Sequence, residues 1–102
     1  MGYGNMAKMA QQMQAEMARV QAELDTLTVE GSSGGGAVTA TVSGHGELLS
    51  LVIGKDVVDP DDVEMLQDLT TAAVNDALRR VKQVTEEKMT RVTGGLRIPG
   101  LG

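Results

Sequence analysis

The chain has 102 residues, enough for one small domain, and carries nine basic against fourteen acidic side chains for a net charge of −5. It has no Cys, one His and one aromatic residue, Tyr3. This excludes disulfide frameworks, thiolate metal sites and cysteine nucleophiles, and leaves almost nothing for His-based metal sites. A core must come from Val, Leu, Ile, Ala and the seven Met. A chain this short buries roughly two-thirds of its unfolded surface at best, so a second subunit would help it. No apolar run approaches the ~20 residues of a membrane span. The N-terminus lacks a basic segment followed by an apolar core. A soluble cytoplasmic protein is the expectation. Taken as one number, the acidic charge argues against nucleic acid, whose binders usually show a basic footprint.

In chain order, residues 5–27 read as a helix. Met6, Ala10, Met13, Met17, Val20, Leu24 and Leu27 are spaced alternately by four and three, a heptad seam that calls for another helix against it. Asn5 is the predicted N-cap, and the helix would be about 35 Å long. The Met stripe reads as ordinary adaptable packing. Residues 27–53 read as three short antiparallel strands. The first is Leu27–Gly31, followed by a loop over Ser32–Gly36; the second is Ala37–Ser43, and Gly44-His45-Gly46 forms the turn into Glu47–Ile53. In that third strand Leu49, Leu51 and Ile53 share one face.

A second helix is predicted over 60–92. Asp59 is the expected N-cap, Pro60 the first helical residue, and Asp61 and Asp62 fall in the first turn. Val63, Leu66, Leu69, Thr70, Ala73, Val74, Ala77, Leu78, Val81 and Val84 form its apolar stripe, and Gly94-Gly95 stop it. Continuing the stripe's spacing beyond Val84 reaches Lys88 and Arg91, so the last two turns are expected to leave the core and project with a basic face. If the helices pack antiparallel, Lys8 lies beside that tip. The tail 94–102 is expected to be extended or mobile.

The charge is divided along the chain. Residues 56–76 carry seven acidic side chains and no basic one; residues 77–102 carry Arg79, Arg80, Lys82, Lys88, Arg91 and Arg97 against Glu86 and Glu87, net +4. Other chemistry is poorly supported. His45 sits between two glycines, which fits a turn better than a ligand. Asp59, Asp61, Asp62 and Glu64 lack the spacing of a calcium loop and suit helix capping. The Gly-rich run leads into a strand, so it does not cradle phosphate as a strand-to-helix loop does. No serine has a candidate base other than His45. No enzyme, cofactor, metal or small-molecule substrate is expected.

Five segments in this order, Asn5-Met6 opening a Met/Gln-rich helix, TVEG with its Gly-rich loop, VTATVSGHGELLSLVI, DPDDVEMLQDLTTAAVNDALRR and EEKMTRVTGGLRIPGLG, resemble the YbaB/EbfC family of bacterial nucleoid-associated proteins over essentially the whole chain. The resemblance implies one α+β domain over 1–102: a helix, a three-stranded antiparallel sheet and a long helix. It also implies a homodimer joined through the β region with projecting helical arms. Double-stranded DNA bound with little sequence specificity is the implied ligand, in the cytoplasm and nucleoid, for nucleoid organisation or regulation of gene expression. The family offers no short motif to carry over as contacts. The candidate DNA-binding residues, Lys8, Arg79, Arg80, Lys82, Lys88, Arg91 and Arg97, come from the charge pattern, since affinity without specificity rests on cations at phosphates. The absence of Phe and Trp disfavours single-strand stacking platforms. The competing reading is an acidic coiled-coil-type protein–protein adaptor that does not bind DNA directly, suggested by the Met-rich seam and the overall acidity.

Overall fold

The computed structural model describes residues 2–92. In chain order it forms α1 (Gly2–Thr26), β1 (Thr28–Ser33), β2 (Val38–Ser43), β3 (Leu48–Ile53) and α2 (Val63–Val92), with 3₁₀ turns at Gly34–Gly36 and Lys55–Val57. The architecture is α+β, and the antiparallel sheet has the order β1-β2-β3. The tail 94–102, including Arg97, lies outside the described residues.

The core follows from the alternation of β2. Val38, Ala40 and Val42 are fully buried on one face, while Thr39, Thr41 and Ser43 lie half-buried on the other. α2 lies across the apolar face, and Ala73, Ala77 and Val81 complete one core with those three residues. The seating is close because the contact is made of small residues. On β1, Gly31 pairs with Ala40, and a Cβ placed on it would fall 2.6 Å from the Cα of Ala77 and 2.8 Å from the carbonyl oxygen of Ala73. The strand backbone rests directly on the helix backbone there. The Gly34–Gly36 turn has φ of 60°, 67° and 95° in succession, a run that only glycine adopts cheaply.

The β2–β3 hairpin also ties down α1. The Gly44 N–H donates to the Leu27 carbonyl at 3.0 Å. His45 Nε2 lies 2.7 Å from Asp25 Oδ1, so the histidine fastens the turn to the end of the first helix.

Several expectations need correction. α1 begins at Gly2, so Asn5 lies inside the helix instead of capping it. β1 extends to Ser33 because Ser32 and Ser33 still pair with Thr39 and Val38, and the Ser33 hydroxyl donates to the Leu69 carbonyl at 2.6 Å. Asp59 does not cap α2. Its carboxylate accepts the Asp61 N–H at 2.9 Å in a tight turn holding Pro60, and Asp62 caps instead, accepting the Met65 N–H at 3.1 Å. Leu51 and Ile53 oppose the core residues Ala40 and Val38. The register slips at Thr41/Val42, where Val42 meets Leu48, so Leu49 drops out of the predicted face.

The apolar stripe of α2 does not fade at Val84. It shifts to Met89 and the buried Val92, which pack with Val20, Leu24 and Leu27 of α1. Val81, Thr85, Met89 and Val92 are spaced four, four and three. That spacing turns the stripe around the helix as the sheet ends and α1 takes over as its neighbour. The two helices run antiparallel here, with Glu23 beside Lys88 and Val20 beside Val92. α1 therefore continues past Val92, and Lys8, twelve residues before Val20, lies about 18 Å further along the arm instead of beside the α2 tip.

Gly31→Ala is expected to destabilise the protein by about 1–3 kcal/mol, because two backbones must separate. A fall of roughly 4–8 °C in Tm per kcal/mol would register it in thermal denaturation. Gly4→Ala, with open space around it on the helix surface, is expected to leave Tm unchanged or slightly raised.

Candidate nucleic-acid interface

The candidate cations divide by what holds them. Arg79 and Arg80 sit one helical turn beyond Asp76 and share its carboxylate, at 3.5 Å from the Arg79 guanidinium and 3.1 Å from Arg80 Nε. Asp76 also accepts the backbone N–H of Ser32 on β1 at 3.0 Å. That N–H is the first cause holding the Asp76 carboxyl below its ordinary value of 3.8, followed by Arg80 and Arg79 against the opposing effect of desolvation. Both arginines remain largely exposed. Arg80 borders an open groove of about 400 Å³ with Glu30, Gly31, Ser32, Gly36 and Thr39.

Lys88 is different. Its ammonium donates to Glu23 Oε2 at 3.1 Å, and the side chain is only 19% exposed. This pair joins α1 to α2 beside the Val20–Val92 contact. The hydrogen bond and charge of Lys88 are the leading causes that hold the Glu23 carboxyl below its ordinary 4.5, with smaller help from Arg19 and Arg91. Among the described residues Lys8, Lys82 and Arg91 make no ion pair, and all three are exposed.

Helical geometry sorts the α2 charges further. Arg79, Lys82 and Glu86 follow at three and four residues along the face turned away from the sheet, while Arg80, Glu87 and Arg91 follow at seven and four along one flank. Arg79 to Arg91 spans about 18 Å of helix. The acids from Asp56 to Asp68 occupy the opposite end, in the connection from β3 and the first turns of α2. The structure thus gathers Arg79 and Arg80 about one carboxylate, strings Lys82 and Arg91 beyond them, commits Lys88 to an interhelical contact and leaves Lys8 far along α1. The Asp76 pairing is visible in the i+3 and i+4 spacing. The Glu23–Lys88 pair joins residues 65 apart, and no local pattern announces it.

The fold is a helix, a three-stranded antiparallel sheet and a long helix, with exposed cations on the C-terminal half of the second helix. The profile of the YbaB/EbfC DNA-binding family matches residues 1–96, and the chain belongs to that family. A nucleoid-associated protein of Chloroflexus aurantiacus is 53% identical over 97 residues, covering 95% of this chain and 97% of that protein. One from an Exiguobacterium species is 54% identical over 96 residues, covering 94% and 91%. Among solved structures, an uncharacterized protein of Helicobacter pylori shares the fold with a TM-score of 0.73 at 23% identity, covering 92% of this chain and 99% of that one.

Because the Glu23 and Asp76 carboxyls are held below 4.5 and 3.8, the stability from their contacts is complete above those values and falls away as pH drops through the depressed folded ones. Glu23→Gln is therefore expected to be less stable than the parent at neutral pH, with the difference shrinking as pH falls through the depressed Glu23 value, which denaturant titrations at neutral and successively lower pH would measure.

Proposed function

We propose that this protein binds duplex DNA with little sequence preference, as a homodimer, in the bacterial nucleoid, where it serves nucleoid organisation or regulation of gene expression. The observation that carries this reading is the set of exposed cations on the C-terminal half of α2, Arg79, Arg80, Lys82 and Arg91, shared between its outer face and one flank, with the acids from Asp56 to Asp68 at the other end. Cations at phosphates supply affinity without reading bases. The near absence of aromatic side chains favours duplex over single strands. Glu86 and Glu87 thin the field between Lys82 and Arg91 and set a modest affinity. Lys88, with its charge already used by Glu23, contributes to arm rigidity in this reading more than to phosphate contact.

Self-association suits the β3 edge. It is an outer strand of six residues without a charge or a proline. Leu48, Leu49, Val52 and, just beyond, Val58 and Val63 are exposed apolar side chains. A free strand edge of this kind is a template for pairing, and a contiguous apolar surface supports association. Two copies joined there present their basic arms twice.

Replacing Arg79, Lys82 and Arg91 together by Glu is expected to weaken binding to random and AT-rich duplexes alike. The slope of log K against log salt should become shallower by about one for each phosphate no longer neutralised. Gel shifts at two salt concentrations measure this, and binding indifferent to salt would overturn it. Val52→Asp, at a position 65% exposed in the protomer, is expected to convert a dimer to a folded monomer in sedimentation. An unchanged dimer would remove β3 as the interface.

A further inference from the structure

Beyond its contact with α2, α1 carries an apolar face that stays exposed among the described residues. Val20 and Leu24 are buried against Met89 and Val92. The same stripe continues toward the N-terminus through Met17, Met13, Met9 and Met6, whose exposure rises from 40% through 48% and 67% to 68%. The helix runs about 21 Å from Val20 to Met6, and the hairpin is fastened to its other end, at Asp25. Four methionines in one row are adaptable apolar surface.

Two properties of this face fit it to a second copy of itself. The first is shape. Met6, Ala10, Met13 and Met17 are spaced by four, three and four, the spacing that seats one helix on another. When a second α1 runs antiparallel, with the midpoint of the pair between Gln11 and Gln12, Met6 meets the partner's Met17 and Ala10 meets the partner's Met13. Every layer then holds a methionine, and the small Ala10 faces a long, adaptable side chain. Parallel pairing sets Ala10 on Ala10 between layers of paired methionines and leaves a void. The second property is charge. Among the four seam residues and their flanking neighbours Ala7, Met9, Gln14 and Glu16, only Glu16 is charged, and Arg19 holds its carboxylate. In the antiparallel register the two Glu16 residues stand about 13 Å apart along the axis, more than the screening length of about 10 Å at moderate salt.

We propose that the α1 arms of two copies pair antiparallel through Met6, Ala10, Met13 and Met17, extending the seam that α2 begins. Four part-exposed methionines on each side cover less than the ~1,200 Å² that a stable specific interface buries, so one pair of arms associates weakly and reversibly. The contact uses no residue of the β3 edge and none of the cations of α2, and it stands whether or not those readings hold.

A disulfide traps a weak contact, and the chain has no cysteine of its own. In the full-length protein carrying both Met6→Cys and Met17→Cys, the two introduced thiols lie about 16 Å apart on one helix, too far to bond within a copy. Both positions are exposed, so folding is not at stake. Mild oxidation is expected to give a dimer-sized product on non-reducing gels. Trypsin cuts after Lys8 and Arg19, so mass spectrometry should find the peptide 1–8 joined to the peptide 9–19. Gly4→Cys with Ala15→Cys has the same spacing on the other side of the helix, at exposed positions, and is expected to crosslink about tenfold more slowly. Joining of 1–8 to 1–8 would show parallel arms and overturn the proposal. Equal rates in the two variants would reduce it to chance collision, and the absence of a dimer-sized product would assign the Met row to an occupant other than α1.

Discussion

The arrangement depends on one close contact, the backbone of β1 against the backbone of α2 at Gly31. No side chain larger than hydrogen fits between Gly31 and the Ala73–Ala77 turn. The fully buried residues around it are correspondingly small, with Ala40 opposite Gly31. With so little volume between the layers, the position of α2 over the sheet is set by contact of main chains. That placement has a polar consequence one turn away. The Ser32 N–H, on the residue after Gly31, lies within reach of Asp76, on the residue before Ala77. The small-residue contact and the carboxylate that gathers Arg79 and Arg80 are two sides of the same approach.

This gives the charge of the chain a structure that its total conceals. Asp76 receives one backbone N–H and two guanidinium groups, so it lowers the field of the two arginines without cancelling it, and fixes where they stand relative to the sheet. Lys88 meets its acid across the helix pair and is withdrawn from the surface. Exposed ion pairs contribute little to stability on their own. These two matter more for position, one seating α2 on β1 and the other holding α1 alongside α2. Among the described residues of α2, the cations left over are Lys82 and Arg91, whose nearest acids in sequence, Glu86 and Glu87, do not pair with them.

The features legible in the sequence are those carried by local patterns. The strict alternation of residues 38–43, the Gly-His-Gly turn and the helical period from Leu69 to Val81 each report a surface that the residues themselves define. The errors fall mostly where a distant segment decides, the cap of α2 being a local exception. Asp62 rather than Asp59 caps α2 because Asp59 is used in the turn around Pro60. Leu49 leaves its face because of a slip in pairing with β2. Met89 and Val92 are buried because α1 lies beside them, and a stripe counted from the sheet-facing residues points instead to Lys88 and Arg91. For the candidate site, the division of charge was legible, whereas the commitment of Lys88 to Glu23 was not, since it arises from the crossing of two helices 65 residues apart in sequence.

The core of the chain is small. Among the described residues nine apolar ones are buried, in two clusters, and the larger apolar side chains are spread between them and the surface. Most of the exposed ones among the described residues collect in two places, the β3 edge with the segment up to Val63 and the Met row of α1, with Leu78 of α2 apart from both. Met6 lies nineteen residues from Asp25, where the hairpin is fastened to α1, which separates it from the sheet by about 28 Å. A strand added to β3 would cover Leu49 and Val52 and leave Met6 bare. One occupant therefore does not serve both surfaces. The β3 edge has unpaired main-chain groups and suits another strand, whereas a helix face has none to offer and suits apolar side chains alone. The two surfaces differ in chemistry as well as in place.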